Sequence, residues 1–469
     1  MERKNSWNQY QDAESEALEK VCAEYRAFLS KGKTERLCTE LAVDMAEKAG
    51  YKDLQEIIGK GKKLKAGDKV YAVNMKKMLA LFQIGVQPLE KGMAILGAHI
   101  DSPRIDVKQN PLYEDGGFAY LDTHYYGGIK KYQWVTIPLA IHGVVATKDG
   151  SVVKVCIGEE ENDPVFCITD LLIHLSGENM EKKAAKVIEG EALDILIGSR
   201  PLKALKEDGK EEKEQKEAVK ANILKLLQDK YDLEEEDFMS AELEVVPAGA
   251  ARESGIDRSM IMGYGQDDRV CAFTSLKAML NVEQPEYTTC CLLVDKEEIG
   301  SVGATGMRSR FFENTIAELL GYTERYDELK LRRCLANSRM LSSDVSAAFD
   351  PLYASAYEKK NAAYFGRGLV FNKYTGSRGK SGSNDANAEY MARIRKVLDD
   401  AEVAYQTAEL GKVDVGGGGT IAYIMALYGM EVIDCGVAVL NMHAPWEIAS
   451  KADIYEAVKG YEAFLKGIF

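Results

Sequence analysis

Two histidines and a scatter of paired carboxylates carry most of the chemistry this sequence offers. Gly97-Ala-His99-Ile-Asp101-Ser-Pro-Arg places an imidazole and a carboxylate two residues apart. In extended chain such residues share a face, so Asp101 is placed to take the second ring N–H of a ligating His99 and fix its orientation. The acidic pairs Asp267-Asp268 and Glu297-Glu298 each read, taken singly, as a solvated turn. Glu297-Glu298, however, follows the strand-forming run Thr289-Cys-Cys-Leu-Leu-Val after two residues and shortly precedes a glycine, Gly300. Two adjacent carboxylates at such an edge can divide roles, one binding metal and one staying free as a base. Leu341-Ser-Ser-Asp344-Val and Val439-Leu-Asn-Met-His443 complete the set. Two histidines, a bridging aspartate and further carboxylates suit a co-catalytic pair of metal ions. Imidazole and carboxylate without thiolate point to zinc, with manganese or cobalt as substitutes.

Other chemistries fare worse. No Gly-x-Ser-x-Gly elbow is present, and no histidine makes a convincing partner for a nucleophilic cysteine. The run Gly416-Gly-Gly-Gly-Thr420 lacks the lysine of a phosphate-binding loop. It reads better as a loop, centred on Gly418, that lets backbone approach a substrate. His174, in Leu171-Leu-Ile-His174-Leu, reads on its own residues as a packed or hydrogen-bonded histidine on a helix, and Lys373 as a solvated lysine or a carboxylate acceptor. Lys203–Glu217 holds eleven charged residues of mixed sign in fifteen, the pattern of a solvated helix face or loop with no function attached.

The elements that must position these groups follow from length and periodicity. A chain of 469 residues is too long for one typical domain, and its 46% hydrophobic and 29% charged content is globular. The net charge of −14 argues against nucleic acid or an anionic membrane as partner. No run approaches the length of a membrane span, and Met1-Glu-Arg-Lys-Asn-Ser-Trp-Asn lacks the apolar core of a secretory signal. The nine cysteines are odd in number and form no Cys-x-x-Cys pair, so buried thiols in a reducing, cytoplasmic compartment are expected. Leu18, Val21, Cys22, Tyr25 and Leu29 keep helical spacing across Glu14–Leu29, and Ile454, Val458, Tyr461 and Leu465 do so across Asp453–Lys466. Met93–Ala98, Ala241–Val246, Thr289–Asp295 and Glu431–Val439 read as strands. Phe118 to Cys156 is β-branched and aromatic, as in hairpins. An α/β unit over 1–107 and 245–469, interrupted by a β-rich insertion over 108–244, is the simplest account.

The order His99-x-Asp101, Asp267-Asp268, Glu297-Glu298, Asp344, His443 resembles that of the aspartyl aminopeptidase and vacuolar aminopeptidase I family of dinuclear zinc exopeptidases. Ala98-His-Ile-Asp-Ser-Pro, Asp295-Lys-Glu-Glu-Ile-Gly-Ser, Ser343-Asp-Val and Asn441-Met-His carry the resemblance, which spans essentially the whole chain. It implies a mainly parallel sheet sandwiched by helices, with the inserted β-rich domain building a dimer contact. Two divalent metals, most simply Zn2+, would be bridged by Asp267, with His99 and Asp344 on one and Glu298 and His443 on the other. Glu297 would be the general base, taking a proton from the attacking water and giving one to the leaving amine, with Asp268 supporting. The substrates implied are peptides with a free N-terminus, and the assembly a homo-oligomer, commonly a tetrahedral dodecamer, in which His174 reaches a neighbouring subunit's site. Lys373, in Phe371-Asn-Lys-Tyr-Thr-Gly-Ser, matches a substrate-side lysine of the family. The histidine that aspartyl aminopeptidases carry after the aspartate matching Asp344 is replaced here by Val345-Ser-Ala-Ala-Phe-Asp, so an acidic and a neutral P1 preference both stand open. A metal-dependent amidohydrolase acting on N-acyl amino acids and a catalytically idle oligomeric scaffold are the rival readings.

Overall fold

The computed structural model describes residues 4–203 and 216–469, which fall into two compact units. Most of the Lys203–Glu217 charge run therefore lies outside the described residues. The first unit comprises Met1–Ser102, Ala251–Met442 and Trp446–Phe469, as far as these are described. Its main sheet has nine strands: β1 (Lys52–Asp53), β2 (Lys69–Asn74), β3 (Met78–Gln83), β4 (Ala94–His99), β5 (Thr289–Val294), β6 (Arg339–Ser342), β7 (Leu369–Asn372), β8 (Tyr405–Thr407) and β9 (Glu431–Gly436). They lie in the order β1-β2-β3-β5-β4-β6-β9-β7-β8. The centre, β5-β4-β6-β9, is parallel, while β3 joins β5 and β7 joins β9 antiparallel.

Both faces of this sheet are covered, which is why β4 and β5 read as near-continuous apolar runs rather than alternating. In β4, Ala94, Leu96 and Ala98 enter one core and Ile95 the other. The helices Asp12–Lys31, Gln266–Asn281 and Lys451–Gly467 cover the first face, and Phe311–Thr323, Glu328–Asn337 and Ala422–Ala426 the second. The N-terminal helix buries Leu18, Cys22, Tyr25 and Leu29, each such burial worth about 1.5–3 kcal/mol for a large side chain. It begins before the first apolar residue because the Gln11 N–H donates to the Glu14 carboxylate at 3.3 Å, and it ends where the Gly32 N–H donates to the Phe28 carbonyl at 2.7 Å.

The apolar run expected as one strand over Glu431–Val439 is two. After β9 ends at Gly436, Ala438–Leu440 joins a separate five-stranded sheet with Ser346–Ala347, Glu447–Ser450, Met260–Gly263 and Arg252–Ser254. Gly436 permits the change of sheet, since a Cβ there would stand 1.9 Å from the Asp344 carbonyl oxygen.

The second unit, Pro103–Ala250 with His443–Pro445, holds a six-stranded sheet. Its order is Val152–Ile157, Leu139–Ala146, Ala241–Pro247, Arg104–Asp115, Phe118–Tyr126, Ile195–Gly198, and every pairing is antiparallel. The unit starts at Pro103 rather than 108 because Arg104–Asp115 is one continuous strand of that sheet, its polar start masking it in the sequence.

Candidate metal centre

Three segments of the first unit bring their chemistry to the carboxyl ends of the parallel strands, where open α/β sheets place ligand sites. His99 is the last residue of β4, Glu297-Glu298 follow β5 and Asp344 follows β6. Asp267 and Asp268 open the helix Gln266–Asn281, and the peptide bond between them is cis. One donor atom each from His99, Asp267 and Asp344 lies within 4.8 Å of the others. The His99 Nε2 stands 3.2 Å from Asp267 Oδ1, 3.9 Å from Glu297 Oε2 and 4.0 Å from Asp344 Oδ1.

The pairing of His99 with Asp101 takes a form that strand parity alone does not predict. The His99 Nδ1 lies 3.0 Å from the Asp101 backbone carbonyl and 3.4 Å from its carboxylate. Nε2 is the nitrogen that faces the carboxylates of Asp267, Glu297 and Asp344. The Asp101 carboxylate is meanwhile shared by two backbone amides, accepting from Glu297 N–H at 3.1 Å and Glu298 N–H at 3.2 Å. Fully buried, it fixes the turn that presents both glutamates. Asp268 accepts the backbone N–H of His99 at 3.3 Å, a supporting role. Two contributors carried no role in the sequence reading: Glu447, which accepts the Asp267 N–H at 3.0 Å, and Ser102, whose hydroxyl donates to the Asp267 carbonyl at 2.6 Å. The signal for Glu447 is a carboxylate opening the short strand Glu-Ile-Ala-Ser, four residues after His443.

The electrostatics are those of a cation seat. Burial works to lower the pKa of His99, but its hydrogen bonds to Asp101 and Asp267, with the charges of Asp268 and Asp101, raise it well above the usual value. Asp344 is raised well above the carboxylate range by burial and then by the charge of Asp268. Asp268 is raised by its own burial, against the charge of His99. So many buried carboxylates around one imidazole are costly without a compensating cation. An imidazole nitrogen and carboxylate oxygens, with no thiolate, are a donor set that fits zinc.

Comparison with known proteins decides the family. The family model "Aminopeptidase I zinc metalloprotease (M18)" matches residues 28–465. This chain belongs to the M18 family of zinc aminopeptidases. It is 62% identical over 464 residues to a probable M18 family aminopeptidase 1 of Clostridium acetobutylicum, covering 99% of this chain and 98% of that one. The crystal structure of an M18 aminopeptidase from Thermotoga maritima superposes with a TM-score of 0.92 at 45% identity, covering all of both chains. The mApe1 dodecamer of S. cerevisiae shares the fold, with a TM-score of 0.75 at 19% identity over 95% of this chain and 96% of that one. The protein is thus a metalloaminopeptidase, a hydrolase of the M18 family, and its fold is the α/β sandwich with a β-rich insertion that the resemblance implies.

The remaining expected site residues of this M18 chain are placed as follows. His443 follows the strand Ala438–Leu440 in a left-handed conformation with φ of 65°, within the stretch grouped with the second unit. Its Nδ1 is 2.8 Å from the Gly128 carbonyl of that unit. Lys373, just beyond β7, forms an ion pair with Asp385, which also holds Lys380 at 3.0 Å. The Gly418 N–H is donated to the Thr375 carbonyl at 2.9 Å. His174 lies in the second unit on a 3-10 turn, Ile173–Leu175, rather than in a packed α-helix, and it is exposed. Its neighbours Leu171, Leu172, Ile173 and Leu175 are between 44% and 69% exposed.

Proposed function

We propose that this M18 aminopeptidase works through two divalent ions, with Glu297 as general base. His99 and Asp344 hold one ion, Glu298 and His443 the other, and Asp267 bridges them. The observation that carries this reading is the buried cluster of His99, Asp267 and Asp344 with Glu297 beside it. Zinc, when bound, supplies Lewis-acid polarisation of the scissile carbonyl. Glu297 accepts the proton of the attacking water and returns one to the departing amine, while Asp101 holds its backbone amide and so its approach. Glu447 and Ser102 keep Asp267 from turning away.

The P1 residue favoured is neutral: the stretch after Asp344 has no histidine, and Lys373 is already engaged by Asp385. The second unit serves assembly, and His174 reaches the site of a neighbouring subunit. The exposed leucines and isoleucine around it support burial in an assembly, and the yeast mApe1 neighbour is a dodecamer. Nine cysteines, none in a disulfide and seven of them buried, suit the cytoplasm, and no helix among the described residues is long and apolar enough to cross a membrane.

One experiment tests the reading: aminoacyl reporter substrates with Asp, Glu, Leu, Met and Lys, free and N-acetylated, each assayed with zinc, manganese and cobalt. Hydrolysis of free Leu and Met substrates above Asp and Glu is expected. Faster cleavage of the N-acetylated series would make the protein an amidohydrolase, and no hydrolysis with any metal would leave a scaffold.

A further inference from the structure

Across the middle of the main sheet, Gly97 of β4, Ser342 of β6, Asp434 of β9 and Asn372 of β7 are register partners in one row. Register partners point to the same face, so this row is polar within an otherwise apolar layer. The segment after the glycine run lies over it, since a Cβ on Gly97 would stand 3.4 Å from the Ile421 side chain. Asn372 is satisfied, donating to the Ala408 carbonyl at 2.9 Å. Asp434 is not: it is 2% exposed, and neither carboxyl oxygen has a hydrogen-bond partner at full geometry among the described residues. The Ser342 hydroxyl, also buried, is in the same condition.

Two hydroxyls face this carboxyl. Burial raises the Asp434 pKa to about 7, and the hydroxyls of Thr420 and Ser342 are the groups that hold it down against burial. Thr420 Oγ1 accepts the Ala422 N–H at 3.3 Å, so its own proton remains to be donated elsewhere. A carboxyl so deeply buried persists only where it meets donors. Thr420 closes the glycine run, and Ser342 stands two residues before Asp344.

We propose that Asp434 is a positioning residue whose carboxyl, through the Thr420 hydroxyl, latches the loop Gly416–Thr420 to the sheet that carries the catalytic edge. The loop is held at its other side by the Gly418 N–H on Thr375. With Thr420 released, the loop keeps the Gly418 tie and the Gly416 N–H on the Lys412 carbonyl at 2.9 Å, both on its N-terminal side. The consequence for substrate affinity rests on the role of Gly418 in substrate binding. The ionised carboxylate is the stronger acceptor, so the latch tightens as pH rises through the Asp434 transition.

The test is hydrogen exchange of peptides covering residues 410–421 in the zinc-loaded, full-length enzyme, read beside KM and kcat. The proteins are the wild type, Thr420→Val, Thr420→Ser and Asp434→Asn. Thr420→Val should lose protection and raise KM about 3- to 10-fold, the scale of one hydrogen bond, with kcat within about twofold. Thr420→Ser should restore both. In the wild type, protection corrected for intrinsic exchange should rise from pH 6 to pH 8. Asp434→Asn, which keeps an acceptor but cannot ionise, should abolish that rise. Protection lost with KM unchanged leaves the latch standing and removes Gly418 from the substrate site. Unchanged protection in Thr420→Val, failure of Thr420→Ser to rescue, or a pH rise that survives in Asp434→Asn overturns the latch.

Discussion

Replacing Asp101 with asparagine separates the orientation of the glutamate pair from the holding of metal. The Asp101 carboxylate accepts Glu297 N–H at 3.1 Å through one oxygen and Glu298 N–H at 3.2 Å through the other. Asparagine keeps one oxygen and puts an NH2 where the second stood, so one backbone donor then faces another donor in a fully buried place. A hydrogen bond to a charged group is worth about 1.5–3 kcal/mol. At 1.36 kcal/mol per tenfold, losing it at the turn that carries the base lowers kcat/KM by about 10- to 150-fold. Metal content should stay near that of the wild type, because the His99 Nδ1 also rests on the Asp101 backbone carbonyl at 3.0 Å, which the substitution leaves in place. Steady-state kinetics on a leucine reporter and elemental analysis of the same preparations read both quantities. Activity within about threefold of wild type, or metal lost in step with activity, would refute the reasoning.

Glu297→Gln should keep its metal and lose about two to four orders of magnitude in turnover, the usual reach of a general base; near-wild-type turnover removes it from that role. Asp267→Ala should instead lose metal, as read by elemental analysis, because the carboxylate closest to His99 Nε2 is gone. Zinc binding to stripped enzyme should release protons at pH 7 and weaken as pH falls. The pKa values of His99 and Asp344 are both raised well above their ordinary values, so a bound ion competes with protons for these groups, and titration calorimetry in buffers of different ionisation enthalpy measures the release. His174→Phe should preserve oligomer size and metal content while lowering turnover. Mixed assemblies with Glu297→Gln subunits, verified by native mass spectrometry, should then regain activity, and continued inactivity of the mixtures assigns His174 a local role.

Local pattern made much of this molecule legible. Helical spacing marked the first and last helices to within a turn, since burying one face of a helix needs only residues three and four apart. Strand character before His99, Glu297 and Asp344 placed each at the end of an apolar run, and the order of the motifs alone carries the resemblance to the family. What local pattern could not reach depends on which distant segments pack together. The Asp101 carboxylate reaches amides some 196 residues away as well as the imidazole beside it, because β4 and β5 are neighbours and their ends coincide. The run from Glu431 splits between two sheets because the Asp344 backbone passes against Gly436, a close approach that no periodicity records. Glu447 meets the Asp267 amide across 180 residues, and Asp434 falls in one row with Ser342 and Asn372 through the register of neighbouring strands. Side-chain spacing along a chain reports burial and helix or strand period; the partner of a buried polar group is set by sheet order and register, which exist only once the tertiary structure has formed.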